Sequence, residues 1–367
     1  MNTQKDFTHG GNIYEIQKQF SIEKEKILDF SANINPLGIS PMVKEAIINS
    51  IPFQQHYPDP DYTELRESIS EYIKVNPDDV VVGNGATEII YLFFRSLQPR
   101  RMLIPVPTFS EYERAARLSH SRIRYFPLKE ENDFHINAAQ LIKNLADVDA
   151  LVLCNPNNPT GQVVAEEQLM EVLNFCESQD IWVLLDEAFI EFVDEASKIT
   201  GINLIGKFKN LLVVRAFTKF FGMPGIRLGY GVTKNYQLIK KIKAFKEPWS
   251  VNGLASAAGV AALKDKAYIN KTREIIKRER EYLFRELSQI KWLNPIQTYT
   301  NFILIKILDE QITSTGLRQS LIPYGVLIRD ASNFINLNEK FVRVAVKDRE
   351  SNTRLISVLK DYRREGI

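Results

Sequence analysis

The chain of 367 residues has few of the side chains that build disulfide frameworks or metal centres: two cysteines and four histidines. Cys154 and Cys176 have neither a metal-ligand spacing nor a histidine cluster beside them, and two cysteines do not make a disulfide scaffold. Cys154 ends an apolar run and reads as a small buried hydrophobe. An excess of one charge is also missing. Forty-seven basic against 45 acidic residues leave a formal charge of +2, which gives no reason to expect nucleic acid or a membrane surface as partner. The lysines at 234, 240, 241, 243 and 246 read as a solvated helix face. No apolar run approaches the length of a membrane span, and the opening residues 1–6 lack the apolar stretch of a signal peptide. The expected location is therefore the cytoplasm. Internal repeats and low-complexity segments are absent as well.

What is present is alternation. Short apolar, β-branched runs at 79–83, 102–105, 122–126, 150–154, 182–186, 211–215 and 226–232 predict strands. Amphipathic stretches between many of them, such as 87–96 and 166–178, predict helices. Strand–helix alternation argues for a mainly parallel sheet with helices on both faces. From about Lys264 the texture changes. A long charged helix pattern at 272–287 precedes strand-like segments at 301–307 and 341–346 and a last helix at 349–362, which reads as a second, α+β domain. The first forty residues look like an irregular arm, with a turn cluster at 33–38.

In open α/β sheets, ligands bind beyond the carboxyl ends of the strands, and four such ends carry unusual chemistry. Gly83-Asn84-Gly85-Ala86-Thr87-Glu88 follows a strand and opens a helix, so its free amides and helix dipole suit an anion. A tight connection is the plain alternative. Asn155-Pro156-Asn157-Asn158-Pro159-Thr160-Gly161 has a loop composition, but its order is far more specific than its composition. Asp186 ends an apolar strand, where a carboxylate needs a cation or strong hydrogen bonds. A protonated pyridine nitrogen would serve, as would a structural salt bridge. Lys219 lies in an apolar stretch just past a strand, where a lysine either reaches out to water or has a lowered pKa suited to an imine. Arg227, eight residues on, could clamp a phosphate.

Taken together, the glycine-rich turn, the NPTG run at 158–161, Asp186-Glu187-Ala188-Phe189, and Thr218-Lys219 followed by Gly225-Ile226-Arg227-Leu228-Gly229-Tyr230 resemble the fold-type I pyridoxal phosphate (PLP) enzymes of the aspartate aminotransferase kind. The resemblance spans essentially the whole chain. It implies an α/β fold with a mostly parallel seven-stranded sheet in a large domain (41–265), a small α+β domain (266–367) and an arm (1–40) that joins the small domain. It implies that Lys219 carries PLP as a Schiff base and shuttles protons, and that Asp186 keeps the pyridine nitrogen protonated. Asn158 would bond the ring's phenolic oxygen and Phe109 would stack on the ring. Gly85, Ala86, Thr87, Thr218 and Arg227 would hold the cofactor phosphate. Tyr57 would reach the neighbouring subunit's site, which implies a homodimer. His9, Asn33, Gly38, Asn158, Arg329 and Arg343 would line the substrate.

Two positions depart from the wider family. Ala216 stands where a hydroxyl residue usually binds the cofactor phosphate, and Phe189 stands where a tyrosine often donates to the ring oxygen. Within the family, the HGGN run at 9–12, the DFSANINPLG run at 29–38, Phe189 and the PWSVN run at 248–252 resemble the threonine-phosphate decarboxylases of cobalamin biosynthesis more than the histidinol-phosphate aminotransferases. The implied reaction is decarboxylation of L-threonine O-3-phosphate or L-serine O-phosphate. Transamination of histidinol phosphate or a related amino acid is the alternative. A regulator built on this domain would need a DNA-binding domain, for which the arm is too short, and would not need Lys219.

Overall fold

The computed structural model describes residues 10–20 and 22–362. In chain order the strands are β1 (Leu28–Asp29), β2 (Val80–Gly83), β3 (Arg101–Val106), β4 (Arg122–Pro127), β5 (Ala150–Cys154), β6 (Trp182–Asp186), β7 (Leu211–Ala216), β8 (Gly229–Val232), β9 (Leu293–Pro295), β10 (Phe302–Ile307), β11 (Val326–Leu327), β12 (Arg329–Asp330) and β13 (Phe341–Ala345). Seven of them form one sheet in the order β2-β8-β7-β6-β5-β3-β4. Neighbours pair in parallel except at β8, which runs antiparallel to both β2 and β7.

The central strands are apolar apart from Asp186 at the end of β6 and Arg215 in β7, because helices cover both faces. Their side chains alternate between two cores. Leu151, Leu153, Val183 and Leu185 enter one, while Val152, Cys154 and Leu184 enter the other. The helix Glu166–Ser178 shows how one of these faces is covered. Leu169, Val172, Leu173 and Cys176 are its buried residues, at the spacing that makes a single apolar stripe. Glu166 and Glu167 occupy its first turn, where the helix dipole favours them.

The predicted strand at 226–232 is shorter than expected, beginning at Gly229. The residues before it make a turn in which Arg227 adopts φ +60° and Ile226 N–H bonds Met223 O at 3.3 Å. Its antiparallel direction was also not apparent from the alternation. The arm, expected to be irregular, contains the helix Ile13–Phe20 and β1, which pairs in parallel with β11. The later segments form an antiparallel sheet, β12-β13-β10-β9, flanked by the long helix Lys266–Ser288 and the last helix Arg349–Asp361.

Close packing of β8 on the start of the helix Gly85–Leu97 requires glycine. A Cβ at Gly229 would lie 2.2 Å from Ala86 N, which is backbone and cannot step aside. Gly229→Ala should therefore destabilise the fold by more than about 1 kcal/mol, read as a lower urea midpoint at unchanged slope. An unchanged midpoint would show that the contact is easily relieved.

Candidate active site

The carboxyl ends of β2, β3, β5, β6 and β7 open onto a cavity of about 410 Å³. Ala86, Thr87, Phe109, Asn158, Asp186, Thr218, Lys219, Arg227, Asn33, Arg329 and Arg343 all line it. Residues as far apart in the chain as Asn33 and Arg343 are thus gathered at one sheet edge, where an α/β sheet places its ligands.

One end of the cavity is an anion cradle. The helix Gly85–Leu97 points its N-terminus there, with Gly85 at φ +78°. A Cβ on Gly85 would sit 2.7 Å from Arg227 Nη2, so glycine at 85 lets the guanidinium lie against the first helical turn. Arg227 Nη1 donates to Pro224 O at 3.3 Å. Free amides, a helix dipole and a guanidinium converge on one spot, the donor set that holds a phosphate. Thr218 borders the cradle, and Ala216 contributes only a methyl.

Lys219 lines the same cavity. Burial, and then the charges of Arg343 and Arg227, lower its amine from 10.5 to about 8. Below pH 8 it is protonated, and above it is the neutral nucleophile an imine needs. Acylation of Lys219 in the PLP-free protein should therefore rise with pH through a midpoint near 8. A midpoint near 10.5, the ordinary lysine value, would contradict this reading.

Asp186 lies at the end of β6 and is 3% exposed. Tyr112 Oη donates to its Oδ2 at 2.6 Å, and Ala188 N–H donates to its Oδ1 at 2.8 Å. Burial nevertheless pushes this carboxyl above its ordinary range. Among the described residues no cationic side chain pairs with it, and a buried carboxylate favours a cationic partner. Its neighbour Glu187 faces another way and is already paired, receiving bonds from Arg215 Nε at 3.0 Å, Thr200 Oγ1 at 2.8 Å and Gly201 N–H at 2.6 Å. Arg215 also binds Glu191 at 2.9 Å, which accepts from Arg273 Nη2 and Tyr72 Oη. That network fixes β6 against β7 behind Lys219.

The 155–161 loop shows why its order is specific. Asn155 Oδ1 accepts from Val164 N–H at 2.9 Å. Asn157 Nδ2 donates to Pro107 O and Thr160 Oγ1, both at 2.9 Å, while its Oδ1 accepts from Thr108 Oγ1 at 2.9 Å. This ties the loop to the Phe109 segment. Asn158 then faces the cavity, its Oδ1 accepting from Arg343 Nη1.

Two arginines line the same cavity as Lys219. Arg329 and Arg343 are direct cross-strand partners on β12 and β13. Arg343 is 5% exposed, and its Nη2 donates to Ser31 O at 3.0 Å. Burial and the charge of Arg329 lower it to about 9. Arg329 donates to Asn333 Oδ1 at 2.7 Å and is lowered by burial to about 10. Like charges directly opposite on a sheet repel. Arg343 Nε and Asn33 Oδ1 are buried without a hydrogen-bond partner among those residues. The pair is suited to an incoming anion.

The other expected residues lie elsewhere. Gly38 does not border the cavity. It lies against Gly222, and its carbonyl accepts from Tyr268 Oη, so it holds the 31–38 segment against the long helix. Tyr57 is 79% exposed and stacks on Trp249 at 4.5 Å, away from this chain's own cavity. His9 lies outside the described residues. Phe189 lines the cavity and packs edge-on against Phe302 at 5.0 Å. Sequence reasoning missed Tyr112, although the 107–112 segment that carries it was in view, and it missed the Glu187–Arg215 pairing.

Among the described residues no group of His, Cys, Asp or Glu is placed to hold a metal ion, and no helix is long and apolar enough to cross a membrane. A phosphate cradle, a lysine with a lowered pKa, a buried acid and a flanking aromatic fit PLP at its phosphate, aldehyde carbon, ring nitrogen and ring face. Fold and site together define a PLP-dependent enzyme of the aminotransferase-like α/β class. The family model for aminotransferase class I and II matches residues 25–359, and the chain belongs to that family.

Relatives within the family divide between two reactions. The chain is 44% identical to a provisionally named threonine-phosphate decarboxylase of Caldanaerobacter subterraneus subsp. tengcongensis, over 99% of this chain and 96% of that protein. It is 35% identical to the threonine-phosphate decarboxylase of Salmonella typhimurium, over 96% of each. A crystal structure described as the histidinol-phosphate aminotransferase of Clostridium acetobutylicum superimposes with a TM-score of 0.86 at 38% identity, covering 92% of this chain and 99% of that one.

Proposed function

We propose that this enzyme uses PLP to decarboxylate L-threonine O-3-phosphate, or L-serine O-phosphate, to an aminoalcohol phosphate for the cobamide nucleotide loop. The observation that carries the reading is the register-paired Arg329 and Arg343, which line the same cavity as Lys219. It gives the site a second anion position besides the cradle at Gly85 and Arg227. The 44% and 35% identities to threonine-phosphate decarboxylases support the same substrate class.

In this reading Lys219 holds the cofactor, the amides at 85–87 with Thr218 and Arg227 hold its phosphate, and Phe109 covers its ring. Asp186 holds the ring nitrogen and Asn158 the ring oxygen. When bound, PLP supplies a sink for the electron pair left at Cα. Arg329 and Arg343, with Asn33 and His9, grip the substrate phosphate. Gripping that group would leave the carboxylate ungripped, so the Cα–carboxyl bond would be the one broken, with CO₂ as leaving group, and Lys219 as the ammonium would return a proton to Cα. Tyr57 and Trp249, exposed together, face a second copy's site in a homodimer. The large domain spans 41–265 and the small one 266–367 with the arm. The enzyme works in the cytoplasm.

Removing the phosphate from the substrate tests the assignment. L-Threonine should be turned over with kcat/KM at least 10³-fold below that of its phosphate ester, on the order of a lost charged pair. Equal values would sink it. The C. acetobutylicum structure favours a second reading, transamination of histidinol phosphate, which requires a keto-acid acceptor that decarboxylation does not.

A further inference from the structure

We infer that Tyr112 is a positioning residue for the ring-nitrogen end of the cofactor, acting through Asp186. The inference rests on the PLP reading. Tyr112 is fully buried, in the helix Glu111–Leu118, and its hydroxyl donates to Asp186 Oδ2 at 2.6 Å. The edge of the same ring meets Phe109 at 5.6 Å and 85°. One side chain therefore touches both the ring-stacking aromatic and the acid that faces the ring nitrogen.

The consequence follows from the hydrogen-bond inventory. An ionised carboxylate only accepts. With Ala188 N–H on Oδ1 and Tyr112 O–H on Oδ2, Asp186 is fixed in orientation and stabilised as the anion. Without the tyrosine donor, the carboxylate would be more basic and would draw the shared proton from the ring nitrogen towards itself. It would also gain rotational freedom. Both changes weaken the ring as an electron sink and loosen its hold. The other ionisable groups near Asp186 do not substitute for Tyr112. Glu187 is occupied by Arg215, the Cys154 thiol is a weak donor raised by burial to about 12, and Lys219 is reserved for the imine.

Tyr112→Phe tests this, because it deletes one oxygen and keeps the ring that packs on Phe109. PLP would be titrated into the apoprotein of the wild type and the variant, following the Lys219 imine absorbance. Substrate kinetics and the pH dependence of that band would then be measured on the holoproteins. The expected result is a PLP Kd about tenfold to a hundredfold weaker, the range of one hydrogen bond to a charged group. It should be accompanied by a lower kcat at unchanged substrate KM and a displaced pH profile. Tyr112→His, which restores a donor, should recover part of the PLP affinity. A variant that loses thermal stability but keeps the wild-type Kd and pH profile would reduce Tyr112 to core packing and overturn the inference. A wild-type protein that forms no imine band would instead overturn the PLP reading beneath it.

Discussion

Replacing Lys219 with alanine should abolish the imine absorbance of the PLP-loaded protein and lower turnover on the order of 10⁴-fold or more. Two functions are lost at once: the covalent tether and the proton carrier at Cα. The structure explains why no neighbour would take over. Arg227 and Arg343 carry guanidines, not an imine-forming amine, and each is committed, the first to Pro224 O and the second to Asn158 and Ser31. Lys219 is the amine lowered to about 8 at this cavity. PLP should still bind to the variant through the phosphate cradle, more weakly and without the band. A variant that kept the band would place the imine on another lysine and overturn the assignment of the site.

Asp186→Asn should have the next largest effect, and in opposite directions on activity and stability. The amide fills the same space, its oxygen can still accept from Ala188 N–H and its NH₂ can donate to the Tyr112 oxygen, but it carries no charge to hold a protonated ring nitrogen. A fall in kcat of about 10²- to 10⁴-fold is expected, the scale of a lost preorganised charge. The apoprotein should not be destabilised at neutral pH. Burial raises this carboxyl above its unfolded value of 3.8, so the folded state binds the extra proton. Stability from this group is present at low pH and is lost as pH rises through the folded pKa. Above that pKa the group carries a desolvated charge that costs stability, and asparagine removes it. Urea unfolding of the two apoproteins checks the second half. A marked loss of apoprotein stability would show that Asp186 is a structural anion with a partner of its own.

The elements legible in advance were those whose signal is local. Ala150–Cys154 and Trp182–Asp186 are apolar runs ended by polar turns, and their strand bounds agree residue for residue with the expectation. Lys219, Asp186, Asn158 and Arg227 could be singled out because each follows a strand or a glycine-rich turn, which is where such a sheet presents side chains. Other features depend on neighbours that are distant in sequence. Tyr112 and Asp186 meet across 74 positions and Glu187 and Arg215 across 28, so neither contact leaves a mark on spacing. The antiparallel course of β8 was hidden for a similar reason, since its direction is set by the 222–228 turn and by Gly229 packing on Ala86. Gly38 was grouped with the substrate residues because it sits in the run containing Asn33. Only the fold shows that its carbonyl belongs to Tyr268 and that Asn33 alone of the two borders the cavity.

The central claim is that this site removes CO₂ from a phosphorylated amino acid. The most direct measurement supplies the holoprotein with L-threonine O-3-phosphate and no keto acid, and follows CO₂ and the aminoalcohol phosphate. Multiple turnovers with stoichiometric formation of both products are expected. No CO₂ from either phosphorylated amino acid, with glutamate formed from 2-oxoglutarate when histidinol phosphate is the donor, would contradict the claim and make the enzyme an aminotransferase with the same cofactor site.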